Sequence, residues 1–192
     1  SRSPRRIELL QRIGFNPLVD PADIDETQRT GESAIDYVVR LSGEKAATVA
    51  RRHPGCVVIG ADTCVELDGV VHGQPVDRAD AERILRTLSG RTHNVHTAVT
   101  VTSGGVADSV VDTARVTLQP LNAHLLGWYL DTGEPFGKAG AYAVQGHGGV
   151  LVTRVQGSMA TVIGLPLRPT VGLLARAGVE LARAGVGTSA AG

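Results

Sequence analysis

The sequence predicts an α/β protein, and three observations carry that expectation. Short β-branched runs such as Val57-Val58-Ile59 have the length and composition of buried strands. Longer stretches, 34–52 and 78–88 among them, repeat apolar residues at the three- and four-residue spacing of a core-facing helix. Turn signals separate the two kinds, which interleave along the chain.

The 192 residues suffice for one domain or two small lobes with a real core. Lys plus Arg (19) equals Asp plus Glu (19). A nucleic-acid polymer as partner would demand a basic excess, whereas a small anion needs only a local cluster. Aromatics are 3%, so the core must be aliphatic. Cys56 and Cys64 lie in apolar, strand-like surroundings without metal-ligand spacing. They are expected to be buried free thiols, in keeping with a reducing cytoplasm. With no signal peptide and no apolar run of about eighteen residues, the expectation is a soluble cytoplasmic protein without a membrane partner. Ser1 rather than Met opens the sequence, so the start is expected to be processed or cropped.

Ser3-Pro4 opens the first helix, with serine as N-cap and proline at the first helical position; Ile7, Leu10 and Ile13 form its stripe and Gly14 ends it. Arg5 and Arg6 in its first turn face an already positive helix end, a cost of roughly 0.3–1 kcal/mol each when exposed. An anion bound there would reverse that sign, and backbone N–H groups with two guanidinium groups describe a phosphate site. The other reading turns both side chains into solvent.

Phe15 to Val19 reads as a strand. Asp20, Asp23, Asp25 and Glu26 then make either a hard-cation site or an acidic surface loop. Ser33 and Asp36 form a capping box for a helix from Ala34 to about Arg52. Val38, Leu41 and Val49 make its stripe, with Lys45 in register, either snorkelling to water or offering a positive charge to a phosphate.

The run 57–59 is expected to break at Gly60 and deliver Asp62 and Thr63 past the strand end, where α/β proteins place chemistry. Asp62 is then either a functional carboxylate or a solvated residue of a hairpin. Cys64 to Leu67, Asp68-Gly69 and Val70-Val71 read as that hairpin, leading to Gly73-Gln74-Pro75.

Asp77 caps a helix through Leu88 with Ile84, Leu85 and Leu88 inward and Gly90 as stop. Thr92 to Thr102 alternates as a half-buried strand, which puts His93 and His96 on opposite faces, so they cannot act as a ligand pair. Ser103-Gly104-Gly105 turns it, and Ala114, Val116 and Leu118 mark the return. Asn122 caps a short helix carrying Leu125, Leu126 and Tyr129. Residues 136–149 hold five glycines, which let backbone approach a ligand, with Lys138 and Gln145 as polar reach. Val150 to Val155 reads as a strand, Pro169 to about Ala175 as a last helix, and 185–192 as a disordered tail after one domain, 1–184.

Several segments, SRSPRR (1–6), DIDE (23–26), EKA (44–46), VIGADT (58–63), LSGRTHNVHTAV (88–99), GEP (133–135), KAGAYAVQG (138–146) and VIGLPL (162–167), together resemble the Maf (septum-formation-inhibitor-like) nucleoside triphosphate pyrophosphatases. They stand in family order and spacing over nearly the whole chain. The resemblance implies an elongated mixed twisted sheet flanked by helices, and two lobes with a central cleft. It implies hydrolysis of a nucleoside triphosphate to monophosphate and diphosphate, assisted by Mg²⁺ or Mn²⁺, as a house-cleaning reaction with a link to cell-division arrest. Arg5, Thr63 and Gln145 match the branch that prefers dTTP and UTP; the 7-methyl-GTP branch differs around AYAVQG.

On this resemblance Asp62 orients or deprotonates the attacking water, Glu26 and Asp62 hold the metal, and Lys45, Arg5, Arg6 and Lys138 neutralise phosphate. Ser3, Thr63, Gln74 and Gln145 complete the substrate site, and a homodimer is compatible with it. The Gln145 amide matches the O4 and N3–H edge of uracil or thymine, and a flipped amide serves cytosine equally. Three positions depart from the pattern. Gln74 stands where the family has lysine, Gly137 where it has aspartate, and no apolar strand precedes Ser1. Because of Gln74 and Gly137 the alternative reading is a nucleotide-binding regulator with reduced catalysis; a 7-methyl-GTP-type pyrophosphatase is the other.

Overall fold

A computed structural model describes residues 2–181. Its centre is a five-stranded sheet, ordered β2-β1-β3-β4-β5, made of β1 (Val58–Leu67), β2 (Val70–His72), β3 (Thr92–Ser103), β4 (Val106–Leu118) and β5 (Val152–Gln156). The helices are α1 (Pro4–Arg12), α2 (Ala34–Arg52), α3 (Arg78–Leu88), α4 (Ala123–Asp131), α5 (Met159–Ile163) and α6 (Leu167–Arg176). The α/β class is as expected, but all the described strand pairings are antiparallel rather than mixed. Connectivity explains two of the pairings: two-residue turns at Asp68-Gly69 and Gly104-Gly105 return β2 beside β1 and β4 beside β3. Asp68 and Gly69 have φ of 54° and 80°, the primed turn that the Asp-Gly pair predicts.

Side chains alternate between the two faces of the sheet, with Thr63 opposite Thr97 and Asp62 opposite Ala98. On one face α2 sets Ala34 and Val38 against Cys64 and Ala98. The other face is covered twice. Leu9 and Leu10 of α1, Ile163 of α5 and Leu173 and Leu174 of α6 pack on Ala61, Val99 and Val101. Farther along the strands, α3 and α4 bring Ile84, Leu85, Leu88, Leu126 and Tyr129 onto Val65, Val95 and Val116. These are two separate, mostly aliphatic cores on the same face of the sheet.

Caps set the helix starts. Ser33 Oγ accepts from Asp36 N at 3.1 Å, an Asp77 carboxylate oxygen accepts from Asp80 N at 2.8 Å, and Asn122 Oδ1 accepts from Leu125 N at 2.8 Å. Removing such a cap costs about 1 kcal/mol. Ser3 occupies the N-cap position of α1 without a side-chain cap bond.

Three expectations are corrected here, and one element is added. Residues 15–19 form no strand, because Pro17 has no N–H for a ladder and Leu18 is 88% exposed. β3 is buried on both faces from Val95 to Val101, not half-buried, because α2 covers the polar-looking face. Its hydroxyls and His96 are satisfied there: Thr100 meets Ser42 and Ser109, each at 2.8 Å, and His96 Nδ1 meets Thr113 Oγ1 at 2.8 Å. Cys56 is exposed in the turn after α2, while Cys64 is buried as expected. Five-residue α5 was not foreseen, being too short to display a helical period. The domain end at 184 and the tail 185–192 lie outside the described residues. No helix among the described residues is long and apolar enough to cross a membrane.

Candidate active site

β1 pairs with β3 from Val58 to Glu66 but with β2 only from Val65 to Leu67. Among the described residues, its outer edge from Val58 to Cys64 therefore carries no strand. A cavity of about 920 Å³ opens there, and every residue from Ile59 to Val65 lines it. A strand face shows alternate residues, so consecutive lining residues mean that the cavity sits against the edge. Asp62 reaches it from the α2 side and Thr63 from the side of α1 and α5.

Gly60 does not break the strand. β1 runs through it, which places Asp62 in mid-strand rather than at a strand tip. The glycine serves a close approach instead: a Cβ at this position would lie 2.2 Å from Ser42 O and 2.7 Å from Ala46 N. α2 thus rests directly on β1 and carries Lys45 to Asp62.

Asp62 is 6% exposed. Lys45 Nζ donates to Asp62 Oδ1 at 2.6 Å and lies 2.9 Å from Glu26 Oε1, so one ammonium bridges two carboxylates. Burial pushes the Asp62 carboxyl above the usual aspartate range; Lys45 and Arg6 pull it back without cancelling that effect. The Glu26 backbone is held in turn, its carbonyl accepting from Tyr37 Oη at 3.0 Å.

The acid-rich loop is no four-carboxylate cluster. Asp20 pairs with Arg52 and His53, each at 2.8 Å, Asp23 pairs with Arg2 at 2.7 Å, and Asp25 accepts from Thr27 N at 2.9 Å. Among the described residues no group of three or more His, Cys, Asp or Glu is placed to hold a metal. What fits a divalent ion is the smaller pair Glu26 and Asp62, already sharing one cation. Mg²⁺ takes one or two protein carboxylates and completes its shell with substrate phosphate and water.

Elsewhere in the cavity lining, among the described residues, Arg5 makes no hydrogen bond or salt bridge, and Lys138 Nζ bonds only the Phe136 carbonyl, at 3.2 Å. Burial lowers the Lys138 pKa, and the neighbouring Arg5 lowers it further; Glu134 partly opposes both. Glu134 acts on both cations but forms a salt bridge to neither among the described residues, so two mutually repelling cations make this part of the lining anion-receptive. Arg6 differs, because it is a strut: its guanidinium donates to Gly164 O (2.7 Å), Ala61 O (2.9 Å) and Thr63 Oγ1 (2.9 Å).

Gln74 and Gln145 are exposed side chains at the cavity rim. Glu134, named in the sequence only as part of GEP, fastens the segment that carries Gln145. Its carboxylate accepts from His147 N at 3.1 Å and from Gly148 N at 2.6 Å. A Cβ at Gly146 would lie 2.1 Å from Glu134 Oε1, so only glycine permits this clamp. Tyr129 Oη accepts from Ala143 N at 3.2 Å and holds the same segment from the core. Gly137 sits on the cavity wall with φ of 69°, a region aspartate tolerates better than most residues.

His93 and His96 do fall on opposite faces, both buried. His93 Nε2 meets Tyr142 Oη at 2.8 Å, and burial pushes its pKa down to about 4. Its Nδ1 has no partner among the described residues.

Fold and cavity together define an α/β protein with an anion-receptive cleft built round a buried carboxylate–lysine pair. The chain belongs to the Maf-like protein family, whose model matches residues 1–177. It is 50% identical over 181 residues to the dTTP/UTP pyrophosphatase of Myxococcus xanthus (strain DK1622), covering 94% of this chain and 92% of that protein. It is 48% identical to the protein of the same name from Anaeromyxobacter dehalogenans (strain 2CP-1 / ATCC BAA-258), with 94% and 93% covered. A third relative of that name, from Symbiobacterium thermophilum (strain DSM 24528 / JCM 14929 / IAM 14863 / T), is 41% identical with 97% and 96% covered.

Proposed function

We propose that this protein is a nucleoside triphosphate pyrophosphatase that hydrolyses dTTP and UTP to the monophosphate and diphosphate, with Mg²⁺ or Mn²⁺. The observation that carries the reading is that a buried carboxylate–lysine–carboxylate bridge and two further cations line one cavity. Asp62, bridged through Lys45 to Glu26, shares the cavity with Arg5 and Lys138, which form no salt bridge among the described residues. The names of the 41–50% identical relatives supply the substrate.

In the proposed reaction Asp62 takes a proton from a water whose oxygen attacks the α-phosphorus. The new P–O bond forms as the bond to the bridging oxygen breaks, and diphosphate leaves. Raised above the ordinary aspartate range, Asp62 is the better base for this. Arg5 and Lys138 place and neutralise the phosphates, most of what such a transfer requires. Glu26 and Asp62 would hold the divalent ion, which supplies charge neutralisation at the phosphate oxygens. Arg5, Thr63 and Gln145 would select the base.

The test is diphosphate release across a nucleotide panel that includes CTP, GTP and 7-methyl-GTP, with Mg²⁺ or Mn²⁺. Turnover highest with dTTP and UTP is expected; equal rates with purine nucleotides, or no turnover, would refute the reading. The second reading, a nucleotide-binding regulator linked to division arrest, rests on uncharged Gln74 and Gly137 on the cavity wall. It predicts tight binding with negligible turnover. The proposal includes a cytoplasmic setting and a homodimer in solution, the latter checked by light scattering.

Gln74→Lys should raise kcat/KM for UTP severalfold, because the exposed side chain points a new cation along the rim without displacing a partner. Steady-state kinetics read this directly, and an unchanged value would take position 74 out of the phosphate site.

A further inference from the structure

Beneath Thr63 a row of hydroxyls crosses the sheet. Thr63, Thr97 and Asp112 are aligned on β1, β3 and β4, on the face that α5 covers. Thr97 is fully buried, and its hydroxyl donates to the carbonyl of Thr161 at 2.8 Å. A hydroxyl has one proton. That bond uses it, so the 2.9 Å contact between Thr97 Oγ1 and Thr63 Oγ1 must take its proton from Thr63. Arg6 Nη2 in turn donates to Thr63 Oγ1 at 2.9 Å. The far end is fixed as well, since the Thr161 hydroxyl donates to an Asp112 carboxylate oxygen and seats α5 on β4. The direction is thus set from Arg6 through Thr63 and Thr97 to the Thr161 carbonyl, and no member can reverse without leaving a buried group unpaired.

The consequence appears at the cavity. With its proton committed inward and one lone pair taken by Arg6, Thr63 has a single lone pair left to offer. It can accept from a ligand but cannot donate to one. We propose that Thr97 is a positioning residue that makes Thr63 an obligate acceptor, and so biases the site towards bases that carry a proton at N3, as uracil and thymine do. Cytosine presents a lone pair at N3, and lone pair against lone pair is rejected in a site whose polar groups are already committed. This inference rests on the pyrimidine triphosphate reading above.

The experiment compares kcat/KM for UTP and CTP in the full chain, wild type against Thr97→Val. Valine keeps the shape and removes the hydroxyl, freeing the Thr63 proton to turn towards the ligand. The UTP-over-CTP ratio should fall by about tenfold or more, with kcat for UTP nearly unchanged, and Thr97→Ser should restore it. Loss of packing alone would lower both substrates together and leave the ratio intact. A wild type without UTP preference overturns the substrate reading and this inference with it. An unchanged ratio in T97V, with the wild-type preference present, overturns the inference alone. Should T97V fail to fold, Thr63→Val cuts the row at its half-buried outer end, and a retained ratio there is equally fatal.

Discussion

Asp62→Asn should lower kcat for UTP by about 10²–10⁴, the range for removing a positioned general base, while nucleotide still binds. The amide keeps the shape and can still accept the 2.6 Å bond from Lys45, so the change removes the basicity together with the carboxylate charge that would help hold the divalent ion. Equal turnover in the mutant would remove Asp62 from the mechanism. The pH dependence carries a second, signed expectation. Burial raises the Asp62 pKa, so the acid limb of kcat/KM should lie above the ordinary aspartate value of about 3.9. Below that limb the carboxyl is protonated and cannot take the proton from water. Lys45→Met removes the nearest charge holding the pKa down, and should move the limb to higher pH. The stability sign runs the other way from that of a salt-bridged surface carboxylate. A carboxyl whose folded value exceeds its unfolded one favours the fold below the unfolded value, and that contribution is lost as pH rises through the folded value. At neutral pH Asp62→Asn should therefore melt no lower than the wild type, which calorimetry checks.

Gly60→Ala is expected to be the most damaging small substitution in the cleft. The methyl would sit 2.2 Å from Ser42 O and 2.7 Å from Ala46 N, and neither is a side chain that can swing aside. α2 must lift from β1, at about 3 kcal/mol, or roughly 6–12 °C in Tm for a chain of this size. Because α2 carries Lys45, the rate should fall with the stability, unlike in Asp62→Asn. Wild-type melting and turnover in Gly60→Ala would show that the helix has slack at this crossing.

The particular elements show why some of the fold was legible and some was not. The start of α2 could be read to the residue because Ser33 caps it, and its extent followed from the long apolar stripe along it. The Asp68-Gly69 hairpin was equally plain, because that pair favours one turn. Gly60 was misread because a glycine that admits a helix and a glycine that ends a strand look the same in one dimension. Thr97 was hidden for a related reason. Among valines in an alternating strand it counts as one more β-former, and only the Thr161 carbonyl above it reveals its direction. The residues named for the site do meet in one cleft, but Arg6 proves to be bound into the scaffold, and Glu134 and Tyr129 had no local signal to mark them as the clamp on residues 143–148.

The open edge of β1 gives the cleft an unusual separability. Asp62 and Thr63 are chain neighbours, yet their supporting partners lie on opposite sides of the sheet, Lys45 and Glu26 on one and Arg6, Thr97 and Thr161 on the other. Lineages descending from such an ancestor could retune nucleobase choice by drift beneath one side while the charge balance beneath the other stayed untouched. Adaptation to a new nucleotide pool would then require no intermediate that had lost its chemistry.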